Sequence, residues 1–218
     1  MAKINLGILG GFMGKVGTVV GYFWKGKAVM RSYTRSVRNP KSSTQQELRQ
    51  RFAAANMLAA TLRGALELGL GKYAQQRQET ECNSFVHLNF PCFTLDGGGT
   101  MSISYSDLRL AKGPLPKVSF GRADFSTAQQ VKVPFTGNLQ KAGADGNDEV
   151  FLVVYSPDLG DSIVSTPAQR SSAQAVCEVP EDWNGLQVHV WGFAVGGDGT
   201  EHHLQASEST YIGTGEVC

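Results

Sequence analysis

The chain lacks every spacing that would name a reaction. It has no G-x-S-x-G, no H-E-x-x-H and no arrangement of Cys with His that would build a nucleophile. Its Gly-rich stretch "DGGGT" is not followed by the Lys of a phosphate loop and reads as a flexible turn. Cys82, Cys92, Cys177 and Cys218 show no C-x-x-C spacing, so free thiols are expected, with Cys177 in a core strand. No apolar run reaches the ~18 residues of a membrane helix. The early stretch "INLGILGGFMG" is interrupted by glycine and ends without an A-x-A-like cleavage site, so it reads as mature protein synthesised in the cytoplasm without a signal peptide. Charge is also scarce: charged residues make up 18%, while glycine accounts for 26 of 218 residues. That balance favours strands and tight turns over a helical bundle.

The remaining chemistry-bearing groups fit bland roles. Asp198, Glu201, His202 and His203 lie in "GGDGTEHH", and adjacent histidines project differently, so this reads as a polar hairpin loop and not a metal site. His189 and His87 sit in apolar strand-like runs and read as packed core or interface histidines. Asp145, Asn147 and Glu149 alternate, but Ser156 stands where a calcium loop needs its twelfth-position Glu. The expectation is a protein that is not an enzyme, with no catalytic residue, metal ligand or cofactor assigned.

What is present is a charge asymmetry. Residues 1–51 hold ten Lys and Arg against Glu47 alone, a net of +9, and the remainder holds ten against eighteen, a net of −8. A basic segment on an acidic body can bind nucleic acid, an anionic surface or the acidic body of a neighbouring copy.

The pattern predicts an α+β, mainly β fold: an N-terminal β-hairpin, one long helix, then an antiparallel β-sandwich of immunoglobulin-like architecture without the Cys–Trp–Cys hallmark. In "GKVGTVVGYFWKGKAVMRSY", residues 14–24 alternate as one strand, Lys25-Gly26-Lys27 turns, and a second strand follows. Gly14, Gly17 and Gly21 suggest a bulge or the close approach of another backbone. Ser43 and Thr44 each precede Gln46 or Glu47 by three, giving overlapping capping boxes for a helix over about 44–70. Its stripe is Leu48, Phe52, Ala55, Ala59, Leu62 and Leu66, and Gly69 and Gly71 end it. Polar residues 72–83 read as a linker. From 84 onward, short β-rich runs such as "SFVHLNF", "EVFLVVYS" and "LQVHVWGFAV" alternate with turn clusters. The division is therefore a docking module over 1–71, a linker over 72–83 and a β-sandwich over 84–218.

The candidate partner-binding residues are Lys15, Tyr22, Trp24, Lys25, Lys27, Arg31, Tyr33, Arg35 and Arg38. Aromatics between cations can stack bases while the cations hold phosphates. Alternation equally allows the aromatics to face a core and the cations to face water. In a third reading the hairpin adds to a neighbour's sheet edge or lies on its acidic face.

"GKVGTVVGYFWKGKAVMRSY", "NPKSSTQQELRQRF" and "SESTYIGTG" together resemble an uncharacterised Bacteroidota family of similar length, known by a domain-of-unknown-function label. The resemblance implies a characteristic N-terminal half joined to a more variable β domain. "NPKSSTQQELRQRF" is also similar to the start of a helix in some small phage and prophage structural proteins. The expected function is a non-enzymatic structural or assembly protein that makes subunit or scaffold contacts through its basic hairpin and helix, as a homo-oligomer or in a larger assembly such as a virion. A nucleic-acid-binding module using the same hairpin is the alternative. A carbohydrate- or ligand-binding sandwich using Trp183, Trp191 and nearby loops is the third.

Overall fold

The computed structural model describes residues 12–24, 26–36, 41–196 and 205–218, with the backbone of Lys3 and Ile4. Lys25, Arg38 and the Asp198, Glu201, His202 and His203 group lie outside the described residues. The chain divides into two compact units, residues 1–45 and 46–218.

The first unit is an antiparallel meander of β1 (Lys3–Ile4), β2 (Phe12–Val16), β3 (Val19–Trp24) and β4 (Lys27–Ser32), paired in that order. The hairpin around Gly26 forms, with Trp24 opposite Lys27 and Gly26 at φ 76°. The single strand expected over 14–24 is instead two strands. Val16 pairs with Val19 across a two-residue turn in which Gly17 takes φ 57°, a conformation that lacks the Cβ penalty only for glycine. Gly21 provides the expected close approach, since a Cβ there would meet the Phe12 carbonyl oxygen.

The second unit opens with three helices: α1 (Ser43–Thr61), which begins just before the unit boundary, α2 (Arg63–Arg77) and α3 (Glu81–Asn89). The capping hydroxyl is Ser42, one residue before the expected pair, and it accepts from the Gln45 amide at 3.3 Å. The helical stretch does not end at Gly69 or Gly71. Gly69 is a packing glycine, because a Cβ there would lie 2.6 Å from the Leu110 carbonyl oxygen. The chain leaves α2 at Gln78, whose left-handed φ of 54° folds the next residue back so that the Glu79 amide donates to the Ala74 carbonyl at 3.0 Å. The expected linker is therefore helical at both ends, residues 72–77 within α2 and 81–83 within α3. "SFVHLNF" is helix and not strand. Thr80 caps α3 by accepting from the Asn83 amide at 3.2 Å, and Phe85, Val86 and Asn89 face inward at helical spacing.

Small antiparallel pieces follow: β5 (Phe93–Leu95) with β6 (Met101–Ile103), then β7 (Ser119–Phe120), β8 (Asp124–Thr127) and β9 (Gln130–Thr136). The major strands are β10 (Glu149–Ser156), β11 (Asp161–Val164), β12 (Ala168–Gln169), β13 (Gln174–Glu178), β14 (Gln187–Gly196), β15 (Gln205–Ala206) and β16 (Thr210–Glu216). One sheet centres on β10 and β14 and carries β11, β12, β15 and β16. A second centres on β9, flanked by β7, β8 and β13.

The central sheet is buried on both sides. Phe151, Val153, Trp191 and Phe193 pack against helix residues such as Leu58, Leu62 and Leu66. Val150, Leu152, Val154 and Val190 pack against Val131, Val133, Ala175 and Cys177 of the second sheet. A strand covered on both faces has no polar side to show, so "EVFLVVYS" reads as one apolar run. The fold is α+β and mainly β, with facing antiparallel sheets and a helical layer outside one of them. Among the described residues no helix is long and apolar enough to cross a membrane.

Candidate functional site

The N-terminal sheet brings most of the expected partner-binding residues onto one face. Lys15 pairs with Val20 and Val20 with Arg31, so the two cations flank one row across three strands. With strands about 4.8 Å apart, their Cα atoms are roughly 10 Å apart. Tyr22, Val29, Trp24 and Lys27 share this face by register, as does Tyr33 by parity beyond β4. Lys15 Nζ sits 3.6 Å from the Tyr33 ring centroid, and the Arg31 guanidinium is 5.9 Å from that of Tyr22. Tyr33 is held to the sheet by its amide, which donates to the Thr18 carbonyl at 2.7 Å. Arg35 lies beyond β4 and is exposed.

The opposite face carries Phe12, Val16, Val19, Phe23 and Met30 over Gly14 and Gly21, with no charged side chain among the described residues. Sequence reasoning left this face out. Val19 and Phe23 carry its signal in the parity opposite to Tyr22 and Trp24, whereas Phe12, Val16 and Met30 join them only through the two turns. The inward orientation weighed for the aromatics is not what forms: Trp24 is 58% exposed, Phe23 53% and Met30 70%. Among the described residues of this unit only Gly21 is buried. The first acidic residue of the whole chain is Glu47, so nothing within the unit offsets its eight Lys and Arg.

The second unit holds one aromatic cluster with a titratable centre. Tyr105 stacks on His189 at 4.1 Å, and His189 Nδ1 lies 2.9 Å from the Tyr211 hydroxyl. Burial depresses the histidine pKa and pushes Tyr105 up to about 12, so both are neutral at physiological pH. The imidazole's neighbours are the rings of Tyr105, Trp191 and Tyr211 and the Tyr211 hydroxyl. His87 is on a helix and not in the strand expected. It is exposed on α3, beside a groove lined by Phe52, Glu79, Asn83 and Val86.

Other expectations resolve simply. Trp183 and Trp191 are 1% and 0% exposed, so neither offers a platform for a sugar ring. Cys177 is buried in β13 with its thiol pushed up to about 12 by desolvation, whereas Cys218 is exposed. In "GADGNDE" Asp145 closes an Asx turn by accepting from the Asn147 amide at 2.8 Å. Among the described residues no group of three or more His, Cys, Asp or Glu is placed to hold a metal ion.

No curated protein and no solved structure matches the chain. A family of unknown function, DUF6266, matches residues 11–213, a span holding β2 to β4, the helices and both large sheets except the end of β16, and the chain belongs to that family.

Proposed function

We propose that this is a non-enzymatic structural or assembly protein whose N-terminal sheet, with the exposed start of α1, docks into a neighbouring subunit or scaffold. One observation carries the reading: the sheet has two exposed faces, one apolar and one cationic and aromatic, and among its described residues no side chain is buried. A small sheet without a packed face is marginal in water. Contiguous exposed apolar surface on a soluble chain marks an interaction site. On the second unit Leu48 and Phe52, the first stripe residues of α1, are 46% and 55% exposed and offer a partner apolar surface of their own. Sedimentation and light scattering across a concentration series test the reading. A strict monomer at high concentration, with no partner recovered from cells, would end it.

A virion or phage-derived particle is one specific version, motivated by "NPKSSTQQELRQRF" and by the likeness to a Bacteroidota family. Capsid, portal or tail genes beside this one would support it, and their absence across family members would count against it. A second reading, nucleic-acid binding, is favoured by Lys15, Lys27 and Arg31 sharing a face with Tyr22, Trp24 and Tyr33. It requires affinity that falls steeply with salt.

A further inference from the structure

We infer that the cationic face of the N-terminal sheet docks on an acidic end of the second unit of another copy of this chain, head to tail. This rests on the assembly reading and names its partner. The acidic end is a product of topology. β10 runs antiparallel to β14, so Ser156 and Gln187 finish at the same edge. There Ser156 turns through Asp158 to Asp161, and Gln187 pairs with Glu216. The segment before β14 carries Glu181 and Asp182, and its Gly185 amide donates to the Val217 carbonyl at 2.8 Å. The Val179 amide donates to the Gln129 carbonyl at 2.9 Å, which brings Glu178 to the same end. A cleft of about 540 Å³ lined by Gln129, Gln130, Ile163, Glu178 and Val179 joins these segments.

All six carboxylates, Asp158, Asp161, Glu178, Glu181, Asp182 and Glu216, belong to exposed residues. The segments 156–164, 177–188 and 212–218 contain no Lys, Arg or His. Two cations on adjoining elements are already matched: Lys132 stands opposite Asp124, and Arg63 pairs with Glu67 at 2.8 Å. One end of the second unit is therefore uniformly negative, while the sheet unit holds eight cations and no carboxylate.

Charge complementarity of this kind favours a protein partner over a nucleic acid on two counts. The complementary surface is encoded in the same chain and is present at equal concentration. A nucleic acid would also have to displace Lys15 from Tyr33 before a base could stack there. Because head and tail are different surfaces, the contact is heterologous and propagates into rings or filaments.

Two neutralising variants test it by sedimentation velocity at low and at physiological salt. The head variant is Lys15→Gln/Lys27→Gln/Arg31→Gln, and the tail variant is Glu178→Gln/Glu181→Gln/Asp182→Asn. All six side chains are exposed, and circular dichroism verifies folding. The wild type is expected to associate with concentration and to dissociate as salt shortens the Debye length below about 8 Å. Each variant alone is expected to associate roughly tenfold or more weakly. Mixed, they are expected to form a 1:1 complex of two subunits and nothing larger, since one intact head meets one intact tail. Association that survives in both variants, or a mixture that stays monomeric, overturns the inference and leaves the assembly reading standing. A monomeric wild type that binds a single-stranded oligonucleotide, with binding lost in the head variant and kept in the tail variant, overturns it in favour of nucleic acid.

Discussion

The ammonium of Lys15 lies 3.6 Å from the centroid of the Tyr33 ring, joining a residue of β2 to one just beyond β4. The cationic face is thus organised within one copy, and the cost of ordering these side chains is partly met before any partner arrives. An exposed contact of this kind contributes about 0.5–1 kcal/mol.

That face contains an intrinsic reporter. Trp24 is 58% exposed, while Trp183 and Trp191 are at most 1% exposed. Iodide should therefore quench a single tryptophan population, and Trp24→Phe should abolish the quenchable fraction. Because Lys27 stands opposite Trp24, iodide should outperform caesium, and added salt should narrow the difference. Equal quenching by both ions, or quenching that persists in Trp24→Phe, would contradict this assignment.

A buried ion pair holds together loops around the second sheet. Arg170 Nη1 donates to Asp148 Oδ2 at 2.9 Å, its Nε to the Gly137 carbonyl and its Nη2 to the Pro116 carbonyl, both at 2.6 Å. The two side chains are 0% and 5% exposed. Arg170→Met strands a carboxylate and two carbonyls, and should cost about 3–5 kcal/mol. By thermal denaturation that is a fall in Tm of several degrees. Adding Asp148→Asn should recover part of the loss, and a double variant worse than the sum of the singles would refute the coupling.

Gly69 and Gly71 make opposite predictions. A Cβ at Gly69 would press on Leu110 and Ala111, whereas one at Gly71 meets nothing within 4 Å. Gly69→Leu should cost about 1–3 kcal/mol through overpacking. Gly71→Ala should stabilise α2 by roughly 0.5–1 kcal/mol. Urea titrations of the two variants decide it, and equal effects would mean that the helix does not approach the 108–112 segment as described.

His189 predicts a pH dependence. Burial among Tyr105, Trp191 and Tyr211 holds its folded pKa below the unfolded value of about 6.5. Above that value both states are neutral and no cost arises. As pH falls below it, the unfolded chain takes the proton first, so the folded state loses stability. His189→Gln removes this contribution. The stability advantage of the wild type over His189→Gln should shrink as pH drops from 7.5 to 5, and a constant gap would remove His189 as the cause.

Much of the β architecture was legible because turn chemistry and alternation are local. The Gly26 turn and the strands of "EVFLVVYS" and "LQVHVWGFAV" are where the sequence points. The misses came where one residue type has two uses. Gly17 makes a turn inside what alternates like a single strand. Gly69 looked like a helix stop and is a contact point, a difference that only Leu110 and Ala111 reveal. In "SFVHLNF" a seven-residue run satisfies both periods, and the deciding cap, Thr80, lies outside it. The shared face of Lys15, Tyr22 and Trp24 did not follow from alternation, because a single strand over 14–24 puts Lys15 on the other side and the Gly17 turn brings it back, and the exposure of that face did not follow either. Nothing in a pattern says whether a second layer covers a sheet.

The double coverage of β10 and β14 sets a kinetic hierarchy. Their amides sit in the middle of a sheet that helices close on one side and a second sheet on the other. Solvent reaches them only when the whole second unit opens, so their hydrogen exchange should report global unfolding. Amides of β2 to β4, in a sheet without a core, should exchange orders of magnitude faster in the isolated chain. The same protein thus carries a slow clock in its central strands and a fast one in β2 to β4.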